Sequence, residues 1–253
     1  MTISKNAIKY LRSLSLKKFR QKYNNFVVEG DKMARELLAL RPDRVEALYA
    51  LENWLEKAKP ELPLPEGKTF AVSEADLAKV SNLSTPNQVL AVVSIPESKL
   101  EEQQLRSGLS LYLDGIQDPG NFGAILRVAD WFGITCVFCA PTCVDPYNPK
   151  AIQASMGAFL RVPVVEEKLE NLCRLAPGLP VYGAVLNGDN VFQAALSGQG
   201  VIVIGNEGNG ISASAEQWLS HRIAIPAAAH GGAESLNAAV ATGIICAVFR
   251  NQK

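Results

Sequence analysis

The chain has 253 residues, a formal net charge of zero and 48% hydrophobic residues, an ordinary composition for a globular protein. Disordered and fibrous classes are therefore excluded, and no apolar run reaches the roughly 18 residues that span a bilayer. The first residues lack a signal-peptide apolar region, and the five cysteines are an odd number that does not suit a disulfide framework. We expect a cytoplasmic protein.

Positive charge is concentrated at the start of the chain. The first 22 residues carry seven Lys and Arg side chains and no acidic one. Such a local positive field attracts phosphates even when the whole protein is neutral. The alternative is a solvated helix face that binds nothing. The candidate RNA-binding residues are Lys5, Lys9, Arg12, Lys17, Lys18 and Arg20.

Hydrophobic spacing predicts a compact α/β unit in the first hundred residues. The predicted helices are 6–16, 31–40 and 74–80, and the predicted strands are 26–28, 45–51, 69–72 and 89–95. The segment that follows is polar and charged. We therefore predict a first domain at 1–96, a linker at 97–108 and a second domain at 109–253.

From residue 109 onward, predicted strands alternate with helices. The strands are 109–113, 134–139, 162–165, 181–185, 201–204 and 223–225, and the helices are 121–132, 149–159 and 236–249. The β-branched run at 201–204 is typical of a strand buried in a parallel sheet. The alternation predicts an α/β fold in which helices cover both faces of a parallel sheet.

Three neighbouring cysteines raise the possibility of a metal site. Cys136 and Cys139 lie in an apolar predicted strand, where alternation would point them to opposite faces, and Cys143 follows closely. No histidine lies near them in sequence. We interpret these cysteines as small hydrophobic core residues and predict no metal.

Three polar, glycine-rich segments are the candidates for chemistry, because ligands of a parallel sheet gather at the carboxyl ends of its strands. The first follows the predicted strand 109–113 and contains Asn121 and Arg127. Gly120 and Gly123 permit tight turning and close approach of a ligand to the backbone. Taken alone, this segment is better described as a glycine turn with a solvent-facing arginine.

The second segment, 204–211, has three glycines in a G-x-x-G-x-G order, which is neither a phosphate-binding Walker loop nor a dinucleotide fingerprint. Its Glu207 is a surface charge or a ligand contact. The third segment, 225–237, leads into the last predicted helix. Ser235 and Asn237 stand near the start of that helix, where capping is the ordinary role.

Together these segments closely resemble the three motifs of the SpoU/TrmH-type RNA 2′-O-ribose methyltransferases of the SPOUT superfamily. The pattern D-P-x-N-x-G-A-I-x-R matches 118–127, G-x-E-x-x-G matches 205–210, and E-S-L-N matches 234–237. Residues 154–158 resemble the A-S-x-G-A segment of the family. Phe26-Val27-Val28-Glu29-Gly30 resembles, less closely, the substrate-binding domain that precedes the catalytic domain in many members.

The resemblance implies a trefoil-knotted SPOUT methyltransferase domain with a parallel sheet, preceded by a small α/β, ribosomal-protein-like RNA-binding domain. It also implies a homodimer and S-adenosylmethionine as cofactor. A sulfonium is already a strong electrophile, so no metal is needed. The residues that the resemblance places at the cofactor are Val185, Leu186, Asn187, Gly205, Asn206, Ile225 and Leu236.

The catalytic set implied by the resemblance is Arg127, Asn121, Glu207, Ser235 and Asn237. In the family, the residue matching Arg127 is proposed to activate the ribose hydroxyl. Arginine, with a pKa above about 12, is a poor general base. We favour a role in which Arg127 anchors the adjacent phosphate and stabilises negative charge on oxygen.

The sequence departs from the family pattern before E-S-L-N. Ala227 replaces the usual Met, the stretch to Glu234 is about two residues longer and contains His230, and Ala238 stands where Val is common. These changes leave the shape of the methionine end of the pocket open, but they remove no expected catalytic group.

Three other functions fit parts of the pattern. If the chain were a non-catalytic RNA-binding protein of the same fold, one of the motifs should be broken, and none is. If it were a nucleotide-dependent oxidoreductase, a G-x-G-x-x-G turn should follow an early strand, and none is present. A knotted enzyme that methylates a base is disfavoured by E-S-L-N together with Arg127. The extra domain and its basic stretch favour ribosomal RNA over transfer RNA as the substrate.

Overall fold

A computed structural model of the chain describes residues 3–97, 99–228 and 232–251. The chain forms two compact units, and neither is continuous in sequence. The first comprises residues up to 97 together with 147–160, and the second comprises 98–146 together with the chain from 161 onward.

The described chain contains the following regular elements. The helices are α1 (Lys5–Ser13), α2 (Lys17–Tyr23), α3 (Asp31–Leu40), α4 (Glu52–Ala58), α5 (Glu74–Val80), α6 (Glu102–Arg106), α7 (Pro119–Trp131), α8 (Pro149–Ser155), α9 (Leu169–Leu175), α10 (Ala213–Glu216) and α11 (Ala238–Asn251). The strands are β1 (Asn25–Glu29), β2 (Val45–Ala50), β3 (Thr69–Ala71), β4 (Val89–Ser94), β5 (Leu109–Asp114), β6 (Val137–Cys139), β7 (Val164–Glu166), β8 (Val181–Asn190), β9 (Gly200–Gly205) and β10 (His221–Ala224). None of the helices in these described stretches is long and apolar enough to cross a membrane.

The first unit is built on a four-stranded sheet in the order β1-β4-β2-β3. Strand β4 runs antiparallel to β1 and β2, whereas β2 and β3 are parallel. Alternate residues of β1 enter opposite faces: Phe26 and Val28 join one hydrophobic cluster, and Val27 joins the other. Helices therefore cover both faces of this sheet.

Helix α8 completes the first of these clusters. Its Ile152 is fully buried there, and the ring of Phe26 lies 4.8 Å from that of Tyr147 and 5.7 Å from that of Phe159. A segment that follows four elements of the second unit in sequence (α6, β5, α7 and β6) is thus part of the core of the first.

The second unit is built on a six-stranded, wholly parallel sheet in the order β10-β8-β9-β5-β6-β7. The central strand β5 is buried along its whole length. Because the strands are parallel, their carboxyl ends meet at one edge. We call this edge the carboxyl edge.

Strand β8 is irregular near that edge. Gly183 pairs with Arg222, but the next residue of β10, Ile223, pairs with Asp189, so residues 184–188 bulge out of the ladder. The chain returns through Gly188, where a Cβ atom would lie 2.7 Å from the carbonyl carbon of Ile223. A larger residue at 188 would displace the backbone, so glycine is required for this close approach.

Helices α7 and α11 lie side by side and parallel. At their amino ends, the Asn237 side chain donates to the side-chain oxygen of Asn121. At their carboxyl ends, the Arg250 guanidinium donates to the carbonyls of Phe132 and Gly133. Cationic donors suit the free carbonyls of a helix end, so Arg250 ties the end of α7 to α11.

The prediction of a parallel α/β sheet after residue 109 is confirmed, as are most of the predicted elements. Helices α2, α4, α9 and α10 were missed because each is short and buries at most two residues, which leaves little periodicity to detect. The predicted linker contains α6, whose Leu105 is fully buried.

Candidate active site

The three glycine-rich segments meet at the carboxyl edge of the second unit. The first follows β5 and enters α7, the second follows β9, and the third enters α11. Side chains from all three are hydrogen-bonded in a chain. Asn121 Nδ2 donates to Glu207 Oε1 at 2.6 Å, and Asn237 Nδ2 donates to Asn121 Oδ1 at 2.8 Å. Three segments far apart in sequence therefore form one site.

Asn121 is at the centre of this chain, and the start of α7 holds it in place. Asp118 is the N-cap of α7, and its Oδ1 accepts the backbone N–H of Asn121 at 2.7 Å. Pro119 occupies the first turn, where its missing N–H costs nothing. The backbone of Asn121 is fixed, and its amide uses both ends to connect Glu207 with Asn237.

Asn237 serves two roles at once. Its Oδ1 accepts the backbone N–H groups of Ala239 and Val240, at 2.9 and 3.3 Å, as a capping residue does. Its Nδ2 remains available for Asn121. The capping role that the sequence suggested and the role in the site are therefore both present.

The loop after β9 folds back on its own strand. The backbone N–H of Asn206 donates to Gly210 O, and that of Gly210 donates to Asn206 O, both at 2.9 Å. A Cβ on Gly205 would overlap the carbonyl carbon of Gly210, so only glycine fits there. The order of glycines in this loop reflects its tight closure.

The side chain of Asn206 bonds within the protein at both of its polar atoms. Its Nδ2 donates to Gly115 O at 2.8 Å, and its Oδ1 accepts the N–H groups of Gly208 and Asn209. Sequence reasoning placed this side chain at the cofactor. The observed contacts instead make it a residue that shapes the loop.

Arg127 and Ser235 are exposed and stand apart from the hydrogen-bonded chain. Arg127 lies on α7, more than one turn beyond Asn121. In the part of the chain that the structure describes, no side-chain hydrogen bond or ion pair involves either residue. The guanidinium of Arg127 is thus available to a ligand. His230 of the third segment lies outside the described residues.

The remaining residues assigned to the cofactor lie at the carboxyl ends of β8, β9 and β10 or next to Asn237. Leu186, in the bulge of β8, is 75% exposed, and Leu236 is 47% exposed. Val185 and Ile225 are partly buried, and Asn187 is exposed. Exposed apolar side chains beside amides fit a ligand that carries an aromatic base and a methylthio chain.

Most of the predicted RNA-binding side chains are exposed, with one correction. Lys5, Lys9, Lys17 and Lys18 lie exposed on α1 and α2, and Arg12 is exposed although its Nε donates to Lys79 O. Arg20, in contrast, is only 2% exposed and donates from Nη1 to Leu14 O. Its charge is used inside the unit, so the assignment of Arg20 to an RNA surface is wrong.

Sequence reasoning left two acids out of the site, Asp114 and Asp118. The signal for Asp118 was present, since an Asp before a proline and a helix is an N-cap pattern. Asp114 is 6% exposed, and its Oδ2 accepts the Ser212 N–H at 2.6 Å. Nothing local in the sequence marks that contact, because Ser212 follows almost a hundred residues later.

The cysteines lie in the core, as interpreted from the sequence. Cys136, Cys139 and Cys143 are buried and form no disulfide, and burial raises the pKa of Cys136 to about 12. A thiol with a pKa raised in this way stays protonated and is a poor nucleophile and metal ligand. Among the described residues, no group of three His, Cys, Asp or Glu side chains is placed to hold a metal ion.

Comparison with known proteins agrees with this geometry. Residues 108–247 match the SpoU rRNA Methylase family, and residues 5–91 match the MRM3-like substrate binding domain. The fold is that of a methyltransferase with a preceding substrate-binding domain. A Bacillus subtilis relative, the 23S rRNA (guanosine(2553)-2′-O)-methyltransferase RlmP, is 32% identical over 241 residues, covering 94% of this chain and 93% of its own.

Solved structures show the same fold along the whole chain. A TrmH-family protein from Porphyromonas gingivalis superposes with a TM-score of 0.89, at 36% identity and 99% coverage of both chains. An AdoMet-bound rRNA methyltransferase from Sinorhizobium meliloti gives 0.86 at 26% identity, covering 99% of this chain and 96% of that one. The chain belongs to the SpoU rRNA methylase family. The predicted family and enzyme class are confirmed, whereas the trefoil knot stays a prediction.

Proposed function

We propose that this protein transfers the methyl group of S-adenosylmethionine to a ribose 2′-hydroxyl in ribosomal RNA, in the cytoplasm. The observation that carries the proposal is the chain of hydrogen bonds from Glu207 through Asn121 to Asn237, at the edge where the cofactor-binding segments end. Ribosomal RNA is favoured over transfer RNA because the Bacillus subtilis relative, which aligns over 94% of this chain, is a 23S rRNA methyltransferase.

The cofactor would be held by the ends of three neighbouring strands. The bulge of β8 offers Val185, Leu186 and Asn187, the end of β9 offers the backbone of Gly205 and Asn206, and Ile225 and Leu236 offer apolar surface. When bound, S-adenosylmethionine supplies an electrophilic methyl group on sulfur. The protein has to hold the ribose oxygen in line with that group and exclude competing water.

The side chains of the site divide these tasks. Asn121, Glu207 and Asn237 fix one another, so their remaining hydrogen-bonding positions can orient the ribose. Arg127, whose guanidinium is exposed, anchors the adjacent phosphate and stabilises the negative charge that develops on the 2′-oxygen as this oxygen accepts the methyl group and its proton passes to solvent. Ser235, also exposed, supplies a hydroxyl at the entrance to α11.

The first unit would bind the RNA around the modified nucleotide. We propose a contact surface made of Lys5, Lys9, Arg12, Lys17 and Lys18, without Arg20. These side chains are exposed on two successive helices, and an array of cations binds the phosphate backbone without reading sequence. The match of residues 5–91 to a substrate-binding domain supports this division of labour, with the boundary between domains at 97–108.

The protein would act as a homodimer, as is general in the family that the sequence resembles. Trp131, at the end of α7, is 84% exposed, which is unusual for the largest apolar side chain of a monomer surface. Light scattering should give twice the chain mass for the wild-type protein. Trp131→Glu should shift it toward the monomer, and an unchanged mass would argue against this surface as the interface.

The function is tested on ribosomes. Ribosomal RNA from a strain that lacks the gene should be missing one ribose methyl mark, seen by mapping 2′-O-methylation at every nucleotide. Purified protein with labelled S-adenosylmethionine should restore that mark on RNA from the deletion strain. Transfer RNA from the same strain is the matched control. Labelling of transfer RNA alone, or no loss of any mark, would overturn the proposal.

A further inference from the structure

The carboxyl end of β5 contains a buried acid, Asp114, that the family pattern at 118–127 does not include. It is 6% exposed, and its Oδ2 accepts the backbone N–H of Ser212 at 2.6 Å. A backbone N–H bonded to a carboxylate is a short, charge-assisted contact, stronger than a bond between neutral groups. Asp114 therefore fixes the chain at Ser212, where α10 begins.

The next residue, Gly115, fixes the same loop at its other end. Its carbonyl accepts Asn206 Nδ2 at 2.8 Å. Gly115 has φ +76°, a left-handed conformation that favours glycine, and this turn presents its carbonyl to Asn206. Two consecutive residues thus hold both ends of the segment 206–212.

The segment between these attachments is closed on itself. Asn206 and Gly210 exchange two backbone hydrogen bonds, and Gly205 allows Gly210 to approach its own backbone. These bonds join Asn206 to Gly210 within the segment, and Glu207 is exposed. The contacts of Asp114 with Ser212 and of Gly115 with Asn206 set the position of this segment. They therefore decide whether Glu207 Oε1 reaches Asn121 Nδ2.

We propose that Asp114 and Gly115 form a clamp that positions the loop 206–212 for methyl transfer. Asp114 is a positioning residue: it touches neither substrate nor cofactor, but it sets Glu207 against Asn121 and the Gly205–Asn206 backbone against the cofactor. The role in catalysis rests on the proposed function. The role in holding the loop does not, because every contact in it lies within the protein.

The test compares Asp114→Ala with Asp114→Asn. The alanine has no acceptor for the Ser212 N–H, whereas the asparagine keeps a side-chain oxygen of similar reach. In ligand-free protein, amide hydrogen exchange in 206–212 should rise about tenfold or more in Asp114→Ala and stay near wild type in Asp114→Asn. Affinity for S-adenosylhomocysteine and kcat should fall in Asp114→Ala, with KM for RNA unchanged, and recover in Asp114→Asn.

The control is Asp76→Ala, which removes a buried, hydrogen-bonded acid from the first unit. It should leave exchange in 206–212 unchanged.

If Asp114→Ala does not fold, Gly115→Ala tests the other contact, between the Gly115 carbonyl and Asn206. Alanine is strained at the positive φ of residue 115, so this variant should raise exchange in the same peptides. Unchanged exchange in the folded variant, or equal damage from Asp114→Asn, would overturn the clamp. Raised exchange in a protein whose wild type methylates no RNA would overturn only the proposed function.

Discussion

Two sets of polar side chains, one in each unit, are used in opposite ways. In the first, charged groups are buried and bonded within the fold: Arg20 donates to a backbone carbonyl, and Glu29 accepts from Asn82 and Ser81. In the second, Asn121, Glu207 and Asn237 stand at the carboxyl edge and bond to one another across three loops. The charge of a motif residue therefore does not reveal its role; its partners do.

Glu29 illustrates this for the segment Phe26-Val27-Val28-Glu29-Gly30. This glutamate is 6% exposed, and its Oε1 accepts both the backbone and the side-chain N–H of Asn82, at 2.9 Å each. It ties the end of β1 to the loop that follows α5. The resemblance carried by this segment is therefore one of fold, whereas the resemblance carried by Asn121 and its neighbours is one of chemistry.

The largest effect is expected at Arg127, an exposed side chain of the second unit. Replacing Arg127 by Ala removes the guanidinium that we propose stabilises negative charge on the reacting 2′-oxygen, so kcat should fall by roughly 10²- to 10³-fold or more. The fold and affinity for RNA should be nearly unchanged. Single-turnover methyl transfer, with RNA binding measured in parallel, checks this. Arg174→Ala is the control, because Arg174 is 70% exposed and pairs with Glu170 along its own helix. Transfer near the wild-type rate would remove Arg127 from the mechanism.

A smaller effect is expected at the centre of the hydrogen-bonded chain. Asn121→Asp removes the donor to Glu207 and sets two carboxylates against each other, so the three loops lose their common geometry. We expect kcat to fall by about 10²-fold, as for misplacement by about 1 Å. Glu207→Gln in the Asn121→Asp background should recover part of the loss, since it replaces one carboxylate by a donor. No recovery would show that the chain of bonds is not what aligns the site.

In the first unit, the matching test concerns stability rather than rate. Arg20→Ala should destabilise the protein by about 2–3 kcal/mol, because it leaves the Leu14 carbonyl without a buried donor and removes packed methylenes. Urea unfolding measures the change. Lys17→Ala, at an exposed neighbouring position, should change stability by less than about 0.5 kcal/mol. Equal effects at the two positions would contradict the burial of Arg20.

The smallest effect should come from the basic surface. Neutralising Lys9 and Lys18 together should weaken RNA binding a few-fold and reduce the salt slope of log K by up to about two, one for each phosphate that the variant no longer neutralises. The control pair is Lys57 and Lys59, which are exposed in the same unit but lie at α4. A titration of binding against salt concentration separates the pairs. Equal slopes for the two pairs would place the RNA elsewhere.

Much of the second unit was predictable because its strands are short apolar runs and its loops carry unusual glycines. Those local signals predicted that the three loops form one site, and the resemblance to the SpoU/TrmH motifs then pointed to Asn121, Glu207 and Asn237 within it. What escaped prediction depends on distant partners. Arg20 and Lys17 belong to one basic stretch, and only the packing of α2 decides that one is buried and the other exposed. Asp114 depends on Ser212, and the side chain of Asn206 depends on the Gly115 carbonyl.

The placement of residues 147–160 has a consequence for synthesis on the ribosome. The first unit lacks Ile152, Tyr147 and Phe159 until that segment has emerged, and by then β5, α7 and β6 of the second unit have already been made. The two units therefore cannot fold strictly one after the other, as independent domains do. A nascent chain ending near residue 97 exposes the apolar face around Phe26. This face is covered only after residues 147–160 have been made, and that segment lies within the sequence range of the methyltransferase domain.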